Sequence, residues 1–280
     1  MHTPPPPMPV PPASRAAPGV RTIPLIQPLY WLVLAWRDMA HCGWISFAHG
    51  LALTLVSAAI LVVAHNHFWL LAGALSGFLV VAPVLATSLY ALSRALERGE
   101  KADSRVVLKT WLNWQNRHFN KWGNDYWVLV QFGVLLALAG TGWMLTSAAL
   151  ITLLAPVPIN TPLEFVHHVV LANDGVLFEL WLAVGGVMAA PIFASTVIAV
   201  PLLLDRQVTL LQAVLTSWQA VLANPLPMAF WAALIMVFTL LGLGSALLGL
   251  IAVIPMLGHA SWHAYRDLID TSALPEQEPR

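Results

Sequence analysis

Residues 225–265 read PLPMAFWAALIMVFTLLGLGSALLGLIAVIPMLGHASWHAY and contain no Asp, Glu, Lys or Arg. A helix needs about 20 largely apolar residues to cross the hydrocarbon core of a bilayer, and this stretch is about twice that length. Gly244 divides it into two runs. We interpret it as two membrane helices, 225–243 and 245–265, joined by a tight turn. A single long broken helix is the alternative.

The rest of the chain has the same character. Charged residues make up 9% of the sequence, against roughly 25% in soluble domains. Hydrophobic residues make up 59%, and the formal net charge is zero, which gives no indication of nucleic acid as a partner. We therefore predict an all-α polytopic membrane protein with six transmembrane helices, at about 45–64, 68–92, 127–154, 176–204, 225–243 and 245–265.

The basic residues predict the orientation. All 13 Lys and Arg fall before the first predicted span, between the second and third, between the fourth and fifth, or after the sixth. The loops on the other side, 65–67 and 155–175, contain none. The positive-inside rule then places both termini in the cytoplasm. In a prokaryote this membrane is the inner membrane. We expect residues 1–22 and 271–280 to be disordered cytoplasmic tails that flank a membrane domain at 23–270.

A glycine followed six residues later by a proline occurs in each even-numbered span, which indicates an internal repeat. Each proline frees a carbonyl one turn back, and each glycine permits close approach of another helix. We predict three two-helix repeats whose inward helices are kinked, with amphipathic helices on the cytoplasmic interface between them. The predicted kink residues are Gly77, Pro83, Gly185, Pro191, Gly249 and Pro255.

Several short motifs resemble the bacterial integral-membrane family DUF2189. They are Arg21-Thr-Ile-Pro, Trp36-x-Asp38, Gly77…Pro83…Tyr90…Arg94, Pro201…Asp205, and PMLGHASWHAYRD at 255–267. The resemblance covers roughly residues 20–270. Some members of the family are labelled as cytochrome c oxidase subunits. The resemblance thus implies the membrane architecture and a link to respiration, and it implies no particular activity.

Two groups of histidines are candidate sites. His259 and His263 stand at i and i+4 on one helix face, where such a pair can bind a metal or haem or can hydrogen-bond neighbouring helices. We prefer the structural interpretation; His49 is the candidate third cofactor-binding residue. On the predicted outer side, imidazoles at four positions would suit copper or zinc: His65, His67, His167 and His168.

The sequence contains no catalytic fingerprint of the common hydrolase, metalloprotease, nucleotide-binding or dinucleotide-binding kinds. Cys42 is the only cysteine, which excludes an intramolecular disulfide. We expect a non-catalytic accessory or assembly component of a larger inner-membrane complex, with membrane lipids and respiratory subunits as partners and no cofactor. A carrier or channel for lipids or small apolar molecules is the alternative. A haem-, copper- or zinc-binding membrane protein is the third hypothesis.

Overall fold

The computed structural model describes residues 18–64, 87–116, 124–172 and 176–276. Over these residues the chain is all-α except for one two-residue strand pair. The helices are α1 (Gln27–Cys42), α2 (Trp44–Ala64), α3 (described over 87–97), α4 (Ser104–Asn116), α5 (Asn124–Leu154), α6 (Pro162–Phe165, continued by a π-helical turn, Val166–Val170), α7 (Val176–Thr196), α8 (Ala199–Asp205), α9 (Leu210–Ala223), α10 (Pro225–Gly244) and α11 (Leu250–Leu268).

Four helical stretches of the described chain are long and apolar enough to cross a membrane: Trp44–Val63, Gln131–Leu154, Val176–Asp205 and Pro225–Gly244. They correspond to the first, third, fourth and fifth predicted spans. The second predicted span, 68–92, lies mostly outside the described residues. The sixth corresponds to α11, whose second half carries polar side chains. The described chain therefore contains four helices with the length and composition of membrane spans, whereas the predicted total of six spans stays a prediction.

The break between the last two helices lies at 245–249 rather than at Gly244. Ser245 accepts a hydrogen bond from the Gly249 amide and donates one to the Gly242 carbonyl. Ala246 and Leu247 adopt positive φ angles of 53° and 69°, which are uncommon for residues with a side chain. The chain therefore turns within five residues, and α11 begins at Leu250.

Helix α11 lies at the centre of the described fold, with α1 and α2 packed along it. Gly50 of α2 lies against the backbone of Ile251, so close that a side chain there would overlap it. Nearer the other end of α11, where Trp31 donates a hydrogen bond to Asp267, the rings of Trp31 and Trp231 pack edge to face with centroids 5.5 Å apart. Both tryptophans are fully buried and belong to the main apolar core, together with residues of α8 and α11.

Four of the six predicted kink residues lie within the described chain, and their surroundings differ. Pro191 and Pro255 lie inside α7 and α11. Gly185 faces the Trp143 ring of α5, where an added Cβ would come within 2.9 Å of a ring carbon. Gly249 lies in the turn beside Ser245. Gly77 and Pro83 lie outside the described residues, so the threefold repeat stays a prediction.

The described part of the chain extends beyond the predicted membrane domain, 23–270, at both ends. Residues Gly19–Val20 pair antiparallel with Ile269–Asp270. The Asn224 side chain binds the residues that follow this strand. It accepts a hydrogen bond from the Ile23 amide and donates one to the Arg21 carbonyl. At the other end, 271–276 lies over the end of α8. Hydrogen bonds between segments distant in sequence, which leave no composition signal, hold these residues, and the predicted tail boundaries, 22 and 271, stay predictions.

Candidate functional site

Four carboxylates at one end of the fold each accept hydrogen bonds from two side chains. Asp38 accepts from Ser93 and His263, and Glu97 accepts from Trp262 and Arg266. Asp205 accepts from Tyr265 and Arg206, and Asp267 accepts from Gln27 and Trp31. In each case one member of the group belongs to α11, so this helix is joined to α1, α3 and α8 by charge-assisted bonds.

Asp205 is the most buried of these carboxylates, with 2% of its surface exposed. Its immediate neighbour, Arg206, pairs with it at 3.0 Å. The structure adds Arg94 at 3.7 Å and Arg266 at 3.9 Å. An unpaired buried charge would cost several kcal/mol, so this group of cations explains how Asp205 is accommodated in the interior.

A second polar group runs inward from α1. His263 Nε2 lies 2.9 Å from Asp38 Oδ2, and Ser93 Oγ lies 2.6 Å from the same oxygen. Ser93 Oγ is also 2.7 Å from Nδ1 of His259, whose Nε2 lies 2.9 Å from Ser46 Oγ. These five residues come from four helices. We call them the histidine–serine chain.

The hydrogen bonds of Asp38 determine its electrostatics. Burial alone would raise the pKa of this carboxyl, but the hydrogen bonds from His263 and Ser93 outweigh burial, and the pKa lies below the ordinary value of 3.8. Asp38 is therefore ionised at neutral pH. At the end of the same helix, burial raises the pKa of the Cys42 thiol to about 11, although a hydrogen bond with Ser46 opposes the shift. The thiol is therefore protonated at neutral pH.

The structure brings the three predicted cofactor-binding histidines into one region. His259 and His263 share Asp38, and His49 lies nearby with Nδ1 2.8 Å from the Ile45 carbonyl and Nε2 2.9 Å from Ser88 Oγ. All four ring nitrogens of His259 and His49 are thus hydrogen-bonded. The structural interpretation of His259 and His263 and the alternative, a haem or metal at these residues, both stay predictions.

Only two of the four histidines of the predicted outer copper or zinc site lie within the described residues. His167 and His168 lie exposed on the π-helical turn after α6, whereas His65 and His67 lie outside the described residues. Across the residues that the structure describes, no group of three or more His, Cys, Asp and Glu side chains could hold a metal ion. The copper or zinc site at these four residues stays a prediction that metal analysis of the purified protein can test.

Sequence reasoning did not single out Asp38, Ser46 and Ser93 as site residues. Asp38 entered only as part of the Trp36-x-Asp38 motif. A signal was present, because Asp38 shares helical spacing with Trp31, Ala35 and Cys42, which form the buried face of α1. An acidic residue on an apolar helical stripe is costly without partners and therefore predicts them. The serines gave no comparable signal, since their partners are distant in sequence.

Three comparisons with known proteins bear on identity. The model of the DUF2189 family, described as a predicted integral membrane protein, matches residues 70–205. This match confirms the resemblance suggested by the motifs, over part of its expected range. No curated protein and no solved structure matches the chain.

Proposed function

Because residues 70–205 match the model of the DUF2189 family of predicted integral membrane proteins, we propose that the chain is a non-catalytic accessory or assembly subunit of a larger inner-membrane complex. The observation that carries the proposal is the pairing of the four carboxylates Asp38, Glu97, Asp205 and Asp267. Each accepts two side-chain hydrogen bonds within the chain. Groups that could perform chemistry are engaged in holding helices together, which suits a scaffold.

The apolar surface provides the means of acting on other membrane components. Only 11% of the α5 span is buried within the chain, and the other three spans are 22–33% buried. Leu145 of α5 and Leu240 of α10 are 60% and 59% exposed. Such side chains contact either lipid or the helices of another subunit, so an experiment must determine which of the two they contact.

The first experiment is purification in mild detergent, followed by native electrophoresis and mass spectrometry. We expect a co-purifying membrane complex at fixed stoichiometry, with respiratory complexes as the first candidates. In a strain that lacks the protein, the assembled form of that complex should decrease and should return with the wild-type chain. An unchanged complex in the deletion strain would refute the accessory role.

A photo-crosslinking amino acid can then report the neighbour directly. Leu145 and Leu240 are the outward test positions, and Phe132 and Met228, which are buried, are the matched inward controls. We expect the outward positions to give adducts with the same co-purifying subunit and the inward positions to give none. Adducts with lipid alone would contradict the proposal and favour the lipid-carrier alternative.

We also propose that the protein lies in the bacterial inner membrane with both termini in the cytoplasm. The basic residues Arg94, Arg98, Arg206 and Arg266 support this orientation, because they meet around shared carboxylates at one end of the fold. The test is cysteine-accessibility labelling at position 165, which should react only from outside. Cys42 is buried and its thiol stays protonated, so it should not compete. Labelling of position 165 from the cytoplasmic side alone would overturn the orientation.

A further inference from the structure

The turn between α10 and α11 forms its hydrogen bonds with its own atoms. Five of the six backbone amides from 245 to 250 donate to acceptors within 241–247, at distances of 2.7–3.4 Å. Ser245 is the only polar side chain from 240 to 258, and its hydroxyl is used by the Gly242 carbonyl and the Gly249 amide. A turn in hydrocarbon must satisfy its backbone groups in this way, because no water is available there.

The packing of α2 on α11 shows how deep the turn lies. The two helices are antiparallel, and Gly50 lies against Ile251. Four residues further along each helix, Thr54 is level with Leu247 of the turn, and both side chains are buried. Helix α2 continues for ten residues beyond Thr54, to Ala64, which is a rise of about 15 Å. The turn therefore ends well short of the end of α2.

Helices α7 and α8 give the same depth. Asp205 at the end of α8 accepts a hydrogen bond from Tyr265 of α11 at 2.7 Å, so these two residues are level. The helical rise from Asp205 back to Glu179 is about 39 Å, whereas the rise from Tyr265 back to Leu250, where α11 begins, is about 22 Å. The turn therefore lies about 17 Å short of Glu179, the first charged residue at the far end of α7.

The helices keep an apolar surface beyond the level of the turn. Val62 of α2, Leu153 of α5 and Leu182 of α7 are 72%, 79% and 52% exposed, which places hydrocarbon rather than water around them. A hydrocarbon core of about 30 Å, measured from Glu179 towards Asp205, ends about 9 Å before Asp205. The carboxylates with their arginines then lie outside the core, the histidine–serine chain lies at its edge, and the turn lies near its middle.

We propose that α10 and α11 form a re-entrant hairpin whose turn, 245–249, lies in the middle of the bilayer and contacts lipid acyl chains. Leu241 and Leu248, which are 62% and 67% exposed, provide the contact. Both helices enter from the end of the fold that carries the arginines, so the hairpin replaces two crossings without changing the side on which the C-terminus lies. Although α10 has the length of a span, its first half packs around Trp231 in the main apolar core.

Collision rates of a spin label test the depth of the turn. Leu248→Cys and Val176→Cys replace exposed side chains, one in the turn and one at the far end of α7, and Cys42 is buried and should not compete. The labelled proteins are reconstituted in vesicles of phosphatidylcholine and phosphatidylglycerol. Oxygen should reach the label at 248, whereas a water-soluble nickel chelate should not. We expect this label to lie about 15 Å deeper than the label at 176, as the helical rise requires.

Two outcomes of this measurement would overturn the proposal. Equal nickel collision rates at 248 and 176 would place the turn at the membrane surface. Shielding of position 248 from both oxygen and nickel would show that protein, rather than acyl chains, covers the turn.

Thiol labelling gives an independent measurement with a variant that should fold normally. Gly244→Cys adds a side chain where a Cβ meets nothing within 4 Å, and a Tm equal to that of the wild type checks its fold. An impermeant maleimide, present on both sides of the vesicles, should modify Val176→Cys in the native protein but Gly244→Cys only after denaturation. Modification of native Gly244→Cys from either side would also overturn the re-entrant hairpin.

Discussion

The contact between Gly50 and Ile251 allows a sharp test of how α2 and α11 pack. Pro255 has no N–H, so the carbonyl of Ile251, one turn earlier, lacks its usual helical donor. Gly50 lies against that carbonyl, and its Cα–H can form the weak hydrogen bond that recurs at helix interfaces. An ideal Cβ at position 50 would overlap the carbonyl oxygen and lie 2.7 Å from Ile251 C and 2.8 Å from its Cα.

Gly50→Ala should therefore destabilise the protein. Alanine gains up to about 1 kcal/mol over glycine in a helix, whereas overpacking costs about 1–3 kcal/mol. The obstructing atoms are backbone and cannot rotate away, so the upper part of that cost applies. We expect a net loss of about 2 kcal/mol, which lowers Tm by about 4–8 °C in a chain of this size. Thermal melts in detergent, followed by tryptophan fluorescence, measure the shift.

Gly142→Ala in α5 is the matched control, because a Cβ there meets nothing within 4 Å. It should leave Tm unchanged or raise it slightly. The reasoning fails if Gly50→Ala melts at or above the wild-type temperature, or if the two alanine variants shift Tm in the same direction by the same amount.

Three further predictions concern the polar contacts of α1. The pKa of Asp38 lies below 3.8, so its contribution to stability is complete above that value and is lost as the pH falls through the lower, folded-state pKa. Thermal melts from neutral pH to about pH 2 should therefore show that Asp38→Asn lowers Tm at neutral pH and makes Tm fall less in acid. A decrease of Tm in acid identical to that of the wild type would contradict this. Trp31→Phe removes the N–H donor to Asp267 and should lower the free energy of unfolding, measured by chemical denaturation, by about 1.5–3 kcal/mol. The control is Trp36→Phe, at a side chain that is 58% exposed, which should change it little. Equal effects of the two variants would count against the hydrogen bond. Because the pKa of the Cys42 thiol is about 11, maleimide should label it at neutral pH only after unfolding. Intact mass measures the labelling, and rapid labelling of the native protein would show that the thiol is not buried.

The sequence predicted the helices better than their partners. An apolar run that matches the bilayer thickness is a local signal, which is why four predicted spans appear as long apolar helices. The one-sided basic residues also predicted that Arg94, Arg206 and Arg266 would lie at the same end, and the structure places all three near Asp205. The sequence indicates a break at Gly244, whereas the structure has it at 245–249, because the cap that Ser245 forms leaves no pattern in the sequence.

The candidate site was predictable only in part. The i, i+4 spacing of His259 and His263 indicated a shared face, and both residues do approach Asp38. Their partners Ser46 and Asp38 stand more than 200 residues earlier in the chain. A single sequence carries no record of such pairings, since serine is common on helices of every kind. The buried stripe of α1 could have identified Asp38, but not which side chains it would meet.

The pairing of Gly19–Val20 with Ile269–Asp270 has a consequence for biosynthesis. Helix α1 leaves the ribosome before α11, yet the polar partners of Gln27 and Trp31 lie on α11, more than 230 residues further along the chain. These contacts of α1 therefore cannot form until α11 has been made. During that interval the surface of α1 that α11 later covers is open to chaperones, insertion factors and proteases. Synthesis of α11, rather than insertion of the earlier helices, is then the event that commits α1 to its native contacts.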